Sequence, residues 1–455
     1  MAEEWHISAD LFRRFLRKEG TRTENRRLVR HLLGECTFCS ALASRLMDEE
    51  GFWFPKRAQG LSPDDYDRAF TAAVEFGQEV MQRAAVLRLR GWGQWASIAA
   101  LLPEERSALA LNDPGFQHWG FYRALLDAAR WLRWNDPREA VEVLTLAVAV
   151  ATRLDPETVG GEEAATDLQA MGWAVLGNAR RLVSDLEGAR EALNEAWRLQ
   201  EEGSGDPTLK AQILSFDASF VRATGEFETA VSVLEDALQI HRSAGDLHQQ
   251  GRVLLQMGNA IGYADPERGL RYIREALSLI NTAKEPRLEL CAQHDLANFS
   301  VDAGRPQEAL AILDRTRPLY RQFPDDWAQL RLHWLEGRVA RGLDHFDEAA
   351  FALRDVWHAF NDRGLIYDAL MVAIELAETH VASGEYLRAA TFTSEVFPNL
   401  VARNLHRHAL AAWLVLQEAL ERAAATELAV QADLFRRLRL YYRRTWHNPA
   451  EFSME

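Results

Sequence analysis

Two histidines and two cysteines near the N-terminus have the types and the spacing for metal chemistry. In HISADLFRRFLRKEGTRTENRRLVRHLLGECTFC (6–39), His31 ends a short amphipathic stretch, Cys36 and Cys39 follow in a C-x2-C turn, and His6 stands upstream. Two imidazoles and two thiolates fill the four positions of a closed, structural zinc shell. Gly20 and Gly34 break the segment into short helices, with Ser8 and Thr23 as N-caps. Three such helices bury too little apolar surface to fold well alone, and a metal would supply the missing stability. Oxidation of Cys36 and Cys39 would then release zinc and loosen the module, a redox switch. Two plainer readings stay open: a cysteine pair without metal, or core cysteines with His31 as a helix-end cation favoured by the macrodipole.

Catalytic patterns are missing. The chain has no Gly-rich phosphate loop, no nucleophile elbow, no H-E-x-x-H and no kinase signature. The pairs His294-Asp295 and Asp344-His345 are sequence neighbours, which on a helix point about 100° apart. The expectation is that the protein is not an enzyme.

The background in which these residues sit is globular. Of 455 residues, 48% are apolar and 26% charged, so a core can be buried and wholesale disorder is excluded. No run of eighteen apolar residues occurs, and MAEEWHISADLFRR lacks the apolar stretch of a secretory signal, which points to a cytoplasmic protein without a membrane span. Three cysteines, Cys36, Cys39 and Cys291, are too few for a disulfide-built domain. A net charge of −15 argues against general nucleic-acid or anionic-membrane binding. Residues 1–47 nevertheless carry nine Lys/Arg against six Asp/Glu, a net +3 that leaves −18 for the rest and marks a separate module.

One helix-turn-helix pattern returns along most of the chain. Clear copies are LGNARRLVSDLEGAREALNEAWRL (176–199), FVRATGEFETAVSVLEDALQI (220–240), MGNAIGYADPERGLRYIREALSLI (257–280), LANFSVDAGRPQEALAILD (296–314), LEGRVARGLDHFDEAAFALRDV (335–356) and LAETHVASGEYLRAATFTSEV (376–396). A divergent copy precedes them at 128–151. The small residue opening each second helix falls at Ala140, Ala189, Ala230, Gly269, Ala309, Ala349 and Ala389, at spacings of 49, 41, 39, 40, 40 and 40. A small side chain there lets the second helix approach the first, and Leu193, Leu234, Ile273, Leu313 and Leu353 then cover the next repeat. Breakers such as Thr224-Gly225, Asp265-Pro266, Ala303-Gly304 and Ser383-Gly384 mark the turns.

This pattern resembles the tetratricopeptide-repeat (TPR) family over residues 119–425, with units of about 40 residues in place of the usual 34 or so, as in bacterial TPR regulators. The resemblance implies an all-α superhelical solenoid of about seven repeats. It also implies that the first helix of each pair lines a concave groove. Asn178, Ser219, Asn259, Asn298, Arg338 and Glu378 then face inward. Side-chain amides both donate to and accept from an extended peptide backbone. Arg181, Arg222 and Arg341 stand three residues further along, and Arg252 and Arg331 near the helix starts, to hold carboxylates. The alternative is a set of idle residues on a solvated face.

The N-terminal segment resembles the zinc-binding anti-sigma domain of bacterial regulators, whose pattern is an upstream His or Cys followed by H-x3-C-x2-C. His6, His31, Cys36 and Cys39 match it, with H-x4-C in place of H-x3-C. The expected organisation is a three-helix zinc module at 1–49, a linker and lead-in helices at 50–118, with an amphipathic stretch from about Asp64 to Leu89, the solenoid at 119–425, and a C-terminal capping helix and tail at 426–455. In that tail LFRRLRLYYRRTW (434–446) turns Leu434, Leu438 and Tyr441 inward, or else forms a basic, aromatic nucleic-acid patch. The expected function is a cytoplasmic regulatory adaptor: a peptide or protein partner in the groove, and a second partner, by the resemblance a sigma factor, at the zinc module. A scaffold with a purely structural zinc knob, and an unrecognised enzyme, are the other function classes.

Overall fold

The computed structural model describes residues 63–402 apart from 184, 364 and 365, parts of 7–46, and Trp413 and Leu420. Among the described residues there are eighteen α-helices and no strand. An N-terminal helix α1 (Ala9–Leu16) is followed by the long α2 (Pro63–Ile98), α3 (Pro103–Asn112), and seven antiparallel pairs. The pairs are α4 (Trp119–Asn135) with α5 (Pro137–Ala151), α7 (Glu162–Leu182) with α8 (Leu186–Glu202), α9 (Pro207–Ala223) with α10 (Phe227–Ala244), and α11 (Leu247–Ile261) with α12 (Pro266–Leu279). The array continues with α13 (Pro286–Asp302) and α14 (Pro306–Tyr320), α15 (Asp326–Gly342) and α16 (Phe346–Asp362), and α17 (Ile366–Ala382) and α18 (Tyr386–Ala402). A one-turn helix, α6 (Pro156–Val159), and the left-handed Gly160 and Gly161 fill the gap between the first two pairs, which accounts for their wider spacing.

Helix starts follow from local chemistry. Asp136, Asp206 and Asp265 each precede a proline at the first helical position and accept from a backbone N–H one turn in, at 3.0, 2.9 and 2.9 Å. Turns inside the pairs close in the left-handed region at Gly225, Gly304 and Gly384, and at the aligned position in pair six the chain places Asp344 with φ 64°.

The small residues do what their spacing requires. Ala140, Ala189, Ala230, Ala309, Ala349 and Ala389 are buried. Facing them across each pair, the first helices carry glycine at 177, 258 and 337; a Cβ on Gly258 would stand 2.6 Å from Ile273 Cγ1 and 3.0 Å from the Gly269 carbonyl oxygen. Leu193, Leu234, Ile273, Leu313 and Leu353 are all buried, and Leu193, Ile273 and Leu353 pack against Gly177, Gly258 and Gly337 of their own pairs.

The amphipathic stretch from Asp64 does not stop at Leu89. Gly91 carries α2 onward because it is a crossing point: its Cβ would lie 2.1 Å from the Gly120 carbonyl oxygen of α4. First helices touch first helices along the array, α9 with α11, α11 with α13, α13 with α15 and α15 with α17, so they form the inner face. α15 also meets α4, which brings pair six round to pair one.

At the N-terminus, Ser8 caps α1 by accepting from the Leu11 N–H at 3.1 Å. Thr21 and Glu24 form a reciprocal capping box, and Arg14 donates two 2.9 Å hydrogen bonds to the Glu24 carboxylate. Thr23, His6 and Cys36, the residues from 426 onward and the basic, aromatic run 434–446 lie outside the described residues. Cys39 is described and buried with Ile7, Phe12, Leu16, Leu28 and Leu46. Trp413 is buried against the last two pairs and donates to the Thr393 carbonyl at 2.9 Å. No helix among the described residues is long and apolar enough to cross a membrane.

Candidate ligand groove

Inner-face side chains project from the first helices at a 40-residue interval, and their partners lie on the next first helix. From α13 onward this produces a ladder. Arg338, 4% exposed, donates to Asn298 Oδ1 and, at 2.5 Å, to Asp302, and its Nε lies 3.1 Å from Glu375 Oε1. Glu375 also accepts from Trp334 Nε1 at 2.6 Å. Arg341 pairs with Glu378. Only about 20 Å³ of space remains where Tyr263, His294, Asn298, Trp334, Arg338 and Glu375 converge. That volume suits about one water.

The other half differs. Between α9 and α11 opens a cavity of about 160 Å³, bordered by Ser219, Arg222, Gln256, Asn259 and Asp295 over an apolar floor of Ala218, Leu234, Leu255 and Ala260. Asn259 donates to Asp295 Oδ2 at 3.0 Å. Ser219 donates to its own helix at the Ser215 carbonyl, 2.9 Å away. Asn178 Oδ1 accepts from Arg181 Nε and Nη2 at 3.1 and 2.9 Å. Arg181 and Arg222 meet no carboxylate within ion-pair distance among the described residues. Burial, with Arg222 beside it, pushes the Arg181 guanidinium down to about 9.

The sequence-derived set therefore divides. Asn298, Arg338 and Arg341 hold the ladder together, and Arg252 pairs with Glu285, which also lies 3.4 Å from His248 Nε2. Arg222 and Asn259 border the cavity, and Asn178 and Arg181 pair with each other on α7. Arg331 lies over the rings of Trp327 and Trp334, 5.6 and 6.0 Å from their centroids. It sits in the field of Asp368 and Asp295, which with Tyr263 hold its pKa up against burial.

Sequence reasoning passed over Asp295 and Glu375, although a signal existed: each stands three residues before an aligned inner-face position, on the same side of its helix. Burial raises the Asp295 carboxyl, with Arg331, the Asn259 hydrogen bond and Arg222 opposing it. His294, its neighbour, turns to Tyr320, with Nδ1 2.6 Å from the phenol oxygen. Burial, then Arg331 and Arg338, pushes the His294 imidazole down to about 3.

The chain matches no family model and no curated protein. It is similar to the solved structure of a Rap protein complexed with Competence and Sporulation Factor, at 14% identity over 72% of this chain and 95% of that one, TM-score 0.49. Aspartyl phosphate phosphatase F from Bacillus subtilis is 13% identical over 86% of this chain and 94% of its own, TM-score 0.48. A STAND signal-transduction ATPase with a tetratricopeptide-repeat sensor, from Pyrococcus horikoshii, is 17% identical over 76% of this chain and 51% of its own, TM-score 0.43.

Proposed function

We propose that this chain is a regulatory adaptor whose inner helix face takes an extended peptide segment of a protein partner. The observation that carries the reading is the contrast along that face. Arg338 and Arg341 are ion-paired to Glu375 and Glu378, whereas Arg222 borders the cavity between α9 and α11, and neither it nor Arg181 on α7 has a carboxylate within ion-pair distance among the described residues. Charges held out of bulk water without counter-charge are costly in the free protein and are relieved by a ligand that supplies one. Asn178 and Asn259 lie on the same stretch, each able to exchange its present partner for a peptide N–H or C=O. The test is affinity capture from native lysate with wild type and an Arg181→Ala/Arg222→Ala variant matched in helical content. Specific partners should drop out with the variant. Retention of every partner would put the binding surface elsewhere.

In its finer form the reading gives the N-terminal segment a structural zinc held by His6, His31, Cys36 and Cys39, and a second protein contact there, with a sigma factor as the candidate partner. Cys39 supports the fit. Its sulfur accepts the Ile7 N–H at 3.2 Å, which brings Cys39 to the residue that follows His6 in the sequence. Among the described residues no three of His, Cys, Asp and Glu gather at one point. Metal analysis of protein purified under reducing conditions decides the matter: one zinc per chain is expected, lost in Cys39→Ser and in His31→Ala, and a metal-free wild type removes the assignment.

A further inference from the structure

Resting on the peptide-groove reading, we infer that the cavity between α9 and α11 is a two-sided anchor subsite, which takes an acidic side chain of the bound peptide against Arg222 and requires a hydrogen-bond donor next to it for Asp295. The volume is right for one side chain. At about 160 Å³ it slightly exceeds the engineered cavity of about 150 Å³ that accepts a benzene ring.

The walls supply opposite charges that do not satisfy each other. Arg222 and Asp295 border the same cavity, yet no ion pair joins them. Among the described residues Asp295 Oδ2 accepts from Asn259, and no hydrogen bond reaches its Oδ1. Asp295 is 9% exposed and borders this cavity as well as the small space beside Arg338. A ligand that spans the gap, with its carboxylate on the guanidinium and its donor on Asp295, completes both sets.

Arg181, beside Arg222, adds a second positive charge, and burial together with Arg222 lowers its pKa. Leu234 and Leu255 below exclude water from the methylenes of the ligand side chain and strengthen the charge contact above them. Asp295 sets the specificity: two acidic residues in a row would bring the second carboxylate against a third one. The subsite therefore reads an acid followed or preceded by a donor, and disfavours an acidic run.

The experiment is selection of a random heptapeptide phage library on the full chain in three forms: wild type, Arg222→Glu and Asp295→Asn. Wild type should enrich peptides with one Asp or Glu next to a donor residue. Arg222→Glu should replace that acid with Lys or Arg, and Asp295→Asn should admit a second acid beside the first. The best wild-type peptide, resynthesised, should bind Arg222→Gln roughly tenfold or more weakly, as loss of a charged hydrogen bond implies. Arg222→Gln is used at a helical content and melting temperature matched to wild type.

An enriched motif without an acidic position, or one unchanged in Arg222→Glu, overturns the inference and leaves the groove reading intact. No enriched peptide on wild type overturns the groove reading itself. Stabilisation of wild type but not of Arg222→Gln by inorganic phosphate alone would assign the site to a free oxyanion and overturn the side-chain anchor.

Discussion

Arg338 and Glu375 lie at 4% and 2% exposure, and their charges are tolerated because each is met from the neighbouring helix. Removing one partner strands the other, so Glu375→Ala should cost about 3 kcal/mol in urea unfolding. Asn298→Ala deprives Arg338 of an acceptor and should cost about 1–3 kcal/mol. The asparagines occupy aligned sequence positions, and only their surroundings separate a structural one from one available to ligand. His294 gives a pH dependence of definite sign. Its folded pKa of about 3 lies below the unfolded 6.5, so the unfolded chain binds the extra proton between those values. Stability from this group is complete above 6.5 and declines as pH falls, by about 1.4 kcal/mol per unit within the window. Asp295 and Asp368, raised by burial, work in the opposite direction above the ordinary carboxylate range. The difference between wild type and His294→Gln across pH 4–7 isolates the histidine; parallel curves would contradict the assignment.

At the scale of the helix pair, stability depends on how closely two backbones approach. Gly258 has no room for a Cβ against Ile273 and the Gly269 carbonyl. Gly258→Val should therefore force α11 from α12 and cost about 1–3 kcal/mol or more, read as a lowered urea midpoint. The turn of pair six offers a change of opposite sign. Asp344 holds φ 64° where Gly225, Gly304 and Gly384 stand in other pairs, and side chains other than glycine adopt that region at a cost. Asp344→Gly should stabilise by about 0.5–1 kcal/mol, measured by the same method. Both sites fall within repeat copies that were legible in the sequence, at 257–280 and 335–356. Gly91 was not, because a glycine within an amphipathic stretch reads as a break, and only its contact with Gly120 identifies it as a helix crossing.

Across the whole molecule, each helix pair is stabilised by its neighbours, and the buried core runs from pair to pair. The N-terminal core around Phe12, Leu28, Cys39 and Leu46 is a separate, small cluster. If zinc holds it, chelation should release that segment to protease within residues 1–47 while far-ultraviolet circular dichroism keeps nearly all its helical signal. Loss of most of the helical signal on chelation would show instead that the two parts fold as one. The contact of α15 with α4 carries a further consequence: a ligand in the groove bears on pairs distant in sequence, so its binding should raise the melting temperature of the array as a unit.

What the sequence determined by itself was periodic. Small residues at intervals near 40, large apolar residues a turn or two later and turn breakers between them suffice to specify helix pairs, because close approach and burial act through residue size and spacing alone. The inner-face positions came from the resemblance to tetratricopeptide repeats. Which of those side chains spend themselves on one another was decided only by the tertiary structure. Arg341 and Arg222 stand at the same repeat position of equivalent helices. One pairs with Glu378 of the next first helix, while the other borders a cavity. Ion pairing depends on distances of a few ångströms between residues about 40 apart, and those distances are set by the stacking of whole helices.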